Sequence, residues 1–129
     1  MSNKTFDALN LIIEDQAVTT TASVTGIEMV GLNIGDAAYH AVVDVSSVTG
    51  TFDGSNHYTV ALEVSDLVGG TYVQVGNLAT VLATGRHEIG FTAEQIESLV
   101  TGADFFRCTV TKVGTTATGT TYTAFVSRV

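Results

Sequence analysis

Two runs of strict alternation constrain this chain more than anything else in it. Tyr39, Ala41, Val43 and Val45 interleave with His40, Val42 and Asp44, and Tyr58, Val60, Leu62 and Val64 interleave with Thr59, Ala61, Glu63 and Ser65. Successive side chains of a strand point to opposite faces, so a period of two describes a strand with one buried face and excludes an amphipathic helix. The tetrapeptide Asp53-Gly54-Ser55-Asn56 lies between the runs, and its residue types favour a turn. The two runs therefore read as neighbouring strands, each facing a core on one side.

Shorter strands are expected on both sides of this pair: Val18 to Val24, Ile27 to Leu32, Thr71 to Val75 after the Gly69-Gly70 turn, Leu78 to Leu82, and Arg86 to Phe91. Phe106, Cys108 and Val110 alternate with Arg107, Thr109 and Thr111. The last strand, Thr120 to Val129, places Tyr122, Ala124 and Val126 inward and Phe125 outward, where it is either an exposed contact or the sign of a different register. Gly114 to Thr121, GTTATGTT, reads as a flexible hairpin tip. Threonine is 21 of 129 residues, and its branched Cβ suits a pleated surface. One helix interrupts the pattern. Thr92-Ala93-Glu94-Gln95 has the form of a capping box, Phe91 and Ile96 form its hydrophobic staple, and Gly102 is a suitable stop, so Ala93 to Val100 is expected to be helical. The whole describes an all-β sandwich or barrel of about eight short strands with one short inserted helix.

Thr5 to Ile13, TFDALNLII, is different. Phe6, Leu9, Ile12 and Ile13 fall near one face of a helical turn, and residues 1–13 are expected to form an N-terminal arm preceding a sandwich of residues 14–129, its apolar stripe docking either on its own domain or on a neighbouring subunit. No basic and apolar leader opens the chain and no apolar run approaches a membrane span. A single cysteine, Cys108, excludes an internal disulfide, is expected in the core, and fits assembly in a reducing cytoplasm.

The net charge is −8 and unevenly placed. All thirteen acids lie between Asp7 and Asp104, and residues 1–104 carry only Lys4 and Arg86 as bases, giving −11, whereas residues 105–129 carry Arg107, Lys112 and Arg128 without an acid. An acidic chain without a basic cluster is repelled by phosphate backbones, so nucleic acid is not an expected partner. Catalytic patterns are missing. His40, His57 and His87 have no metal-ligand spacing, even with Asp44 or Glu63 added. Ser46, Ser47 and Ser55 have no glycine elbow, and Asp53-Gly54-Ser55-Asn56 lacks the oxygen ladder of a calcium loop. No enzyme, cofactor or metal is expected. A monomeric carbohydrate- or receptor-binding module is the rival class; with no Trp, and with Tyr39 and Tyr58 on core faces, it has only Tyr72 and Tyr122 as ring platforms.

The opening segment, IEDQAVTTTASVTGIEMVGLNIG from Ile13 to Gly35, resembles the small capsid cement (decoration) proteins of tailed bacteriophages. The resemblance extends to the glycine turn and Val-rich strand of Gly35 to Val45. It also takes in Thr59 to Asp66, which is similar to a TVxLxTSD run of that family, and the C-terminal Gly/Thr hairpin. The helix and the Phe105-Phe106 pair depart from the family pattern. The resemblance implies a single jelly-roll domain that forms a homotrimer on the outer surface of an expanded head. There, in the virion, it clamps copies of the major capsid protein, with no membrane partner and no catalysis. Exposure and charge, not the family, nominate the contact residues: Phe6, Leu9, Ile12 and Ile13 of the arm, and Arg107, Lys112, Phe125 and Arg128 of the tail.

Overall fold

A computed structural model of the 129-residue chain describes residues 11–20, 22–23, 27–28 and 38–128. Seven strands of eight residues or more dominate: β1 (Leu11–Val18), β4 (Ala38–Gly50), β5 (His57–Ser65), β6 (Val73–Val81), β7 (Gly85–Thr92), β8 (Phe105–Val113) and β9 (Ala117–Arg128). Two short pieces, β2 (Ala22–Ser23) and β3 (Ile27–Glu28), lie along the same strand, β8. The helix α1 (Ala93–Leu99) joins β7 to β8. The strands form two antiparallel sheets, ordered β1-β9-β4-β7 and β2-β8-β5-β6, with β3 beside β2 on β8. With β2 and β3 taken as one interrupted strand, eight strands wind across two sheets in jelly-roll order.

The two alternating runs behave as the period of two dictates. Tyr39, Ala41, Val43 and Val45 of β4 enter the core from one sheet, and Tyr58, Val60, Leu62 and Val64 of β5 enter it from the other. Tyr122, Ala124 and Val126 join them from β9, and Phe106, Cys108 and Val110 from β8. Tyr39 stacks on Phe91 at 5.7 Å between ring centroids, and Phe91 meets Phe106 at 5.9 Å, so an aromatic bridge crosses from sheet to sheet. Burial pushes the Cys108 thiol up to about 12, with the Glu63 charge adding to the effect. It is a packed core thiol and stays protonated at neutral pH.

The capping box forms as the sequence pattern requires. Thr92 Oγ1 accepts from the Gln95 N–H at 3.1 Å, and Gln95 Oε1 accepts from the Thr92 N–H at 2.8 Å. Phe91 and Ile96 are both buried, which closes the staple. The helix ends at Leu99, and Gly102 adopts a positive φ of 74° while its N–H reaches Glu97 Oε1 at 2.9 Å.

Four expectations change. Leu11 to Ile13 are not part of an arm: they open β1, which pairs with β9. Ile12 is buried in the core and Ile13 packs against it. The helical stripe in TFDALNLII was misleading because a strand with a bulge also brings Ile12 and Ile13 to one side. Phe6 and Leu9 lie outside the described residues. Secondly, Val18 to Val24 is not one strand. β1 ends at Val18 and β2, in the opposite sheet, begins at Ala22, so the chain changes sheets between them. Thirdly, the strands expected at Thr71 to Val75 and Leu78 to Leu82 merge into one strand, β6, which runs from Val73 to Val81. Its pairing with β5 shifts register between Val60 and Ala61 and between Leu62 and Glu63, so the Gly76-Asn77 break is taken up by irregular pairing.

The fourth change concerns Phe125. It does point away from the core, opposite Val42 on the outer face of the β1-β9-β4-β7 sheet, but it is only 1 % exposed. The Arg86 guanidinium lies over its ring at 5.7 Å. Alternation assigned the face correctly; the long Arg86 side chain on the same face contributes cover.

Candidate interaction surfaces

The chain leaves two sheet faces and two sandwich ends to meet partners. On the outer face of the β1-β9-β4-β7 sheet, Arg86 binds Asp44 with Nε and Nη2 at 2.8 and 2.9 Å, a two-pronged pair across β4 and β7. His40 Nδ1 lies 3.4 Å from Glu88 Oε1 but makes no well-directed hydrogen bond among the described residues. On the outer face of the other sheet, Glu63 Oε1 accepts from Arg107 Nε and from Thr109 Oγ1, both at 2.7 Å. The Arg107 guanidinium also sits 4.0 Å above the Tyr72 ring. Both faces thus direct much of their charge into contacts within the molecule.

This arrangement settles where the nominated residues stand. Arg107 is half-buried and committed to Glu63 and Tyr72. Lys112 lies opposite Tyr58 at the far end of β8, away from Arg107's neighbourhood. Arg128 pairs through its backbone with Tyr39 in β4. Phe125 and Ile12 are buried, and therefore are not free contact residues. The structure does not bring Arg107, Lys112, Phe125 and Arg128 together into one patch. The ring platforms of a sugar-binding reading fare no better. Tyr122 is 1 % exposed, and Arg107 occupies one face of Tyr72.

The three histidines are also apart. His40 faces Glu88, His57 Nδ1 lies 3.2 Å from the Asp53 carbonyl, and His87 stands opposite Val43 in β7. No three His, Cys, Asp or Glu side chains gather to hold a metal among the described residues. No helix among them is long and apolar enough to cross a membrane.

The two ends differ more than the two faces. At one end, the β4–β5 and β8–β9 turns are knitted together. Asn56 Oδ1 accepts from the N–H groups of Thr115 and Thr116 at 2.9 and 3.1 Å, and Thr51 and Thr116 exchange two more hydrogen bonds. Asp53 Oδ1 accepts from Asn56 Nδ2 and the Ser55 N–H. The Asn56 amide, then the Ser55 N–H, hold the Asp53 carboxyl below its ordinary range. Of the Gly114 to Thr121 run, read from sequence as a flexible tip, residues 114–116 form this tied-down turn and Ala117 to Thr121 belong to β9.

At the opposite end, residues 66–72 join β5 to β6, and α1 with residues 100–104 joins β7 to β8. The Asp104 N–H donates to the Ser65 carbonyl at 3.2 Å, linking the two connections. Within the first, Ser65 Oγ accepts from the Leu67 N–H at 3.2 Å, the Gly70 N–H donates to the Leu67 carbonyl at 3.0 Å, and Tyr72 Oη donates to the Val68 carbonyl at 2.8 Å. This braced turn presents Leu67 and Val68 to solvent at 64 % and 48 % exposure, and Leu99 of α1 is 43 % exposed. Residues 66–72 and 93–104 contain Asp66, Glu94, Glu97 and Asp104 and no base. Sequence reasoning passed over these leucines. The available signal was an apolar pair, Leu67-Val68, placed directly before Gly69-Gly70, where turn chemistry favours polar residues.

No family model matches the chain, and no curated protein matches it.

Proposed function

We propose that this chain is a non-enzymatic capsid cement protein, which binds the outside of an expanded bacteriophage head as a homotrimer and stabilises contacts between major capsid proteins. The strand order carries the reading. An eight-strand jelly roll is the fold that the resemblance of Ile13–Gly35, Gly35–Val45 and Thr59–Asp66 to the decoration proteins implies, and the chain has it. A braced turn that exposes two apolar side chains supports a binding role, because a rigid apolar anchor loses little entropy when it docks.

The mechanism is mass action. A protein that binds the expanded shell, and not its unexpanded or burst forms, shifts the equilibrium toward that shell. Many copies on one head make modest contacts count together.

Co-sedimentation with purified expanded and unexpanded heads of the phage that encodes the chain tests the reading. Binding to expanded heads alone, at a copy number equal to or a simple fraction of that of the capsid protein, supports it. A handful of copies per virion points instead to a neck or tail component. In solution, light scattering is expected to return three times 13.4 kDa. Truncation experiments must stop before Leu11, because removing residues 1–13 takes Ile12 out of the core.

A further inference from the structure

We infer that the sandwich end formed by residues 66–72 and 93–104 is a docking surface for a cationic protein segment with an apolar anchor. The inference rests on the cement reading only in taking that segment to belong to the major capsid protein. Leu67, Val68 and Leu99 are three of the five large apolar side chains exposed among the described residues. All three belong to the two connections at this end, which the Asp104–Ser65 hydrogen bond joins. The turn carrying two of them is held by three hydrogen bonds, the Leu67 N–H to Ser65 Oγ, the Gly70 N–H to the Leu67 carbonyl and Tyr72 Oη to the Val68 carbonyl, so their exposure is built into the fold.

Charge selects the occupant. Four carboxylates and no base lie in the two connections. Arg107, in the adjoining strand, is engaged by Glu63. A partner must therefore bring apolar side chains for the leucines and positive charge for the carboxylates. An anionic surface would meet like charge, which costs affinity and slows encounter. Among the described residues the knitted end offers no equivalent: the groups of its β4–β5 and β8–β9 turns bond to one another, and its exposed large apolar side chain is Leu82, in the β6–β7 turn.

The test uses the full chain and a short amphipathic helical peptide of leucine and lysine as probe, followed by amide NMR. The peptide is expected to shift resonances of residues 66–68 and 97–104, and a peptide with Glu in place of Lys is expected to leave them unmoved. The double variant Leu67→Ser/Leu99→Ser is expected to weaken the lysine peptide at least about tenfold, because apolar anchors dominate such contacts. No shift, equal response to the Glu peptide, or shifts on the sheet faces overturns the inference. Loss of an oligomer in the double variant, measured by sedimentation, also overturns it, since the surface would then cover a second copy.

Head binding separates the two claims. If wild-type chain binds expanded heads and the double variant binds equally well, the surface assignment fails while the cement reading stands. If wild type does not bind heads but the lysine peptide maps to this end, the surface stands and the cement reading fails.

Discussion

Both ends of this sandwich brace their connections with hydrogen bonds, yet they treat their side chains in opposite ways. At the end formed by residues 51–56 and 114–116, polar side chains turn back onto neighbouring backbone: Asn56 takes two amide donors and Thr116 bonds Thr51. At the end formed by residues 66–72 and 93–104, the backbone is braced as well, but Leu67, Val68 and Leu99 are left facing water. An end that satisfies itself contributes to stability. An end that spends its bracing on presenting apolar groups gains nothing for the isolated fold from those groups, and is the place to look for a partner.

Substitutions can break this contrast, and the knitted end is where stability should suffer most. Gly114 has φ of 77°, and a Cβ there would collide with the Ser55 carbonyl and Asn56 Oδ1. Gly114→Ala is expected to cost about 2–4 kcal/mol, since it combines a strained backbone with a clash; urea denaturation measures it, and a loss under half a kcal/mol would mean that this end is not tightly knitted. Asn56→Ala leaves the Thr115 and Thr116 amides without their acceptor and Asp53 without its amide donor. A loss of about 2 kcal/mol is expected by the same measurement.

Between the ends, Tyr122 carries a buried hydroxyl with no partner among the described residues, and burial raises its pKa. Tyr122→Phe should therefore leave stability unchanged or raise it by about 1 kcal/mol. Clear destabilisation would reveal a partner for the hydroxyl. At the presenting end, Leu67→Ser should stay within about 0.5 kcal/mol of wild type, because its side chain is mostly in water already. A larger loss in thermal melting would show that Leu67 is a packing residue and would remove the contrast.

Acid offers the subtlest test. Asp53 titrates below its ordinary value of 3.8 in the folded chain, because the Asn56 amide and the Ser55 N–H favour the carboxylate. Its contribution is then fully present above that ordinary value and is lost as pH falls through the lower, folded one. Amide exchange at Thr115 and Thr116 should therefore accelerate at low pH relative to residues 66–72. Equal acceleration at both ends would rule out Asp53 as the local cause.

Much of this molecule is legible in its residues. The alternation of Tyr39 to Val45, Tyr58 to Val64 and Phe106 to Val110 assigns their faces because side chains on a strand have no choice about period. The capping box at Thr92 and Gln95 locates α1 because its hydrogen bonds lie within four consecutive residues. Even Phe125 was placed on the correct face. Its burial was not legible, because cover came from Arg86, which is distant in sequence and meets it only through the pairing of β4 with β7 and β9.

The same distinction explains the other differences. Ile12 and Ile13 read as the end of a helical stripe because local spacing cannot reveal that β9 lies alongside to receive a strand. Arg107 looked available from its position in a basic tail, yet Glu63, 44 residues away, holds it. Period, turn chemistry and capping depend on neighbours along the chain, and the sequence by itself determined the all-β class, the core faces and the helix. Which charges are spent, which aromatic rings are covered and which leucines remain exposed depend on neighbours across the sheets. Tertiary structure alone decided them, because the jelly-roll winding brings together segments that the chain keeps far apart.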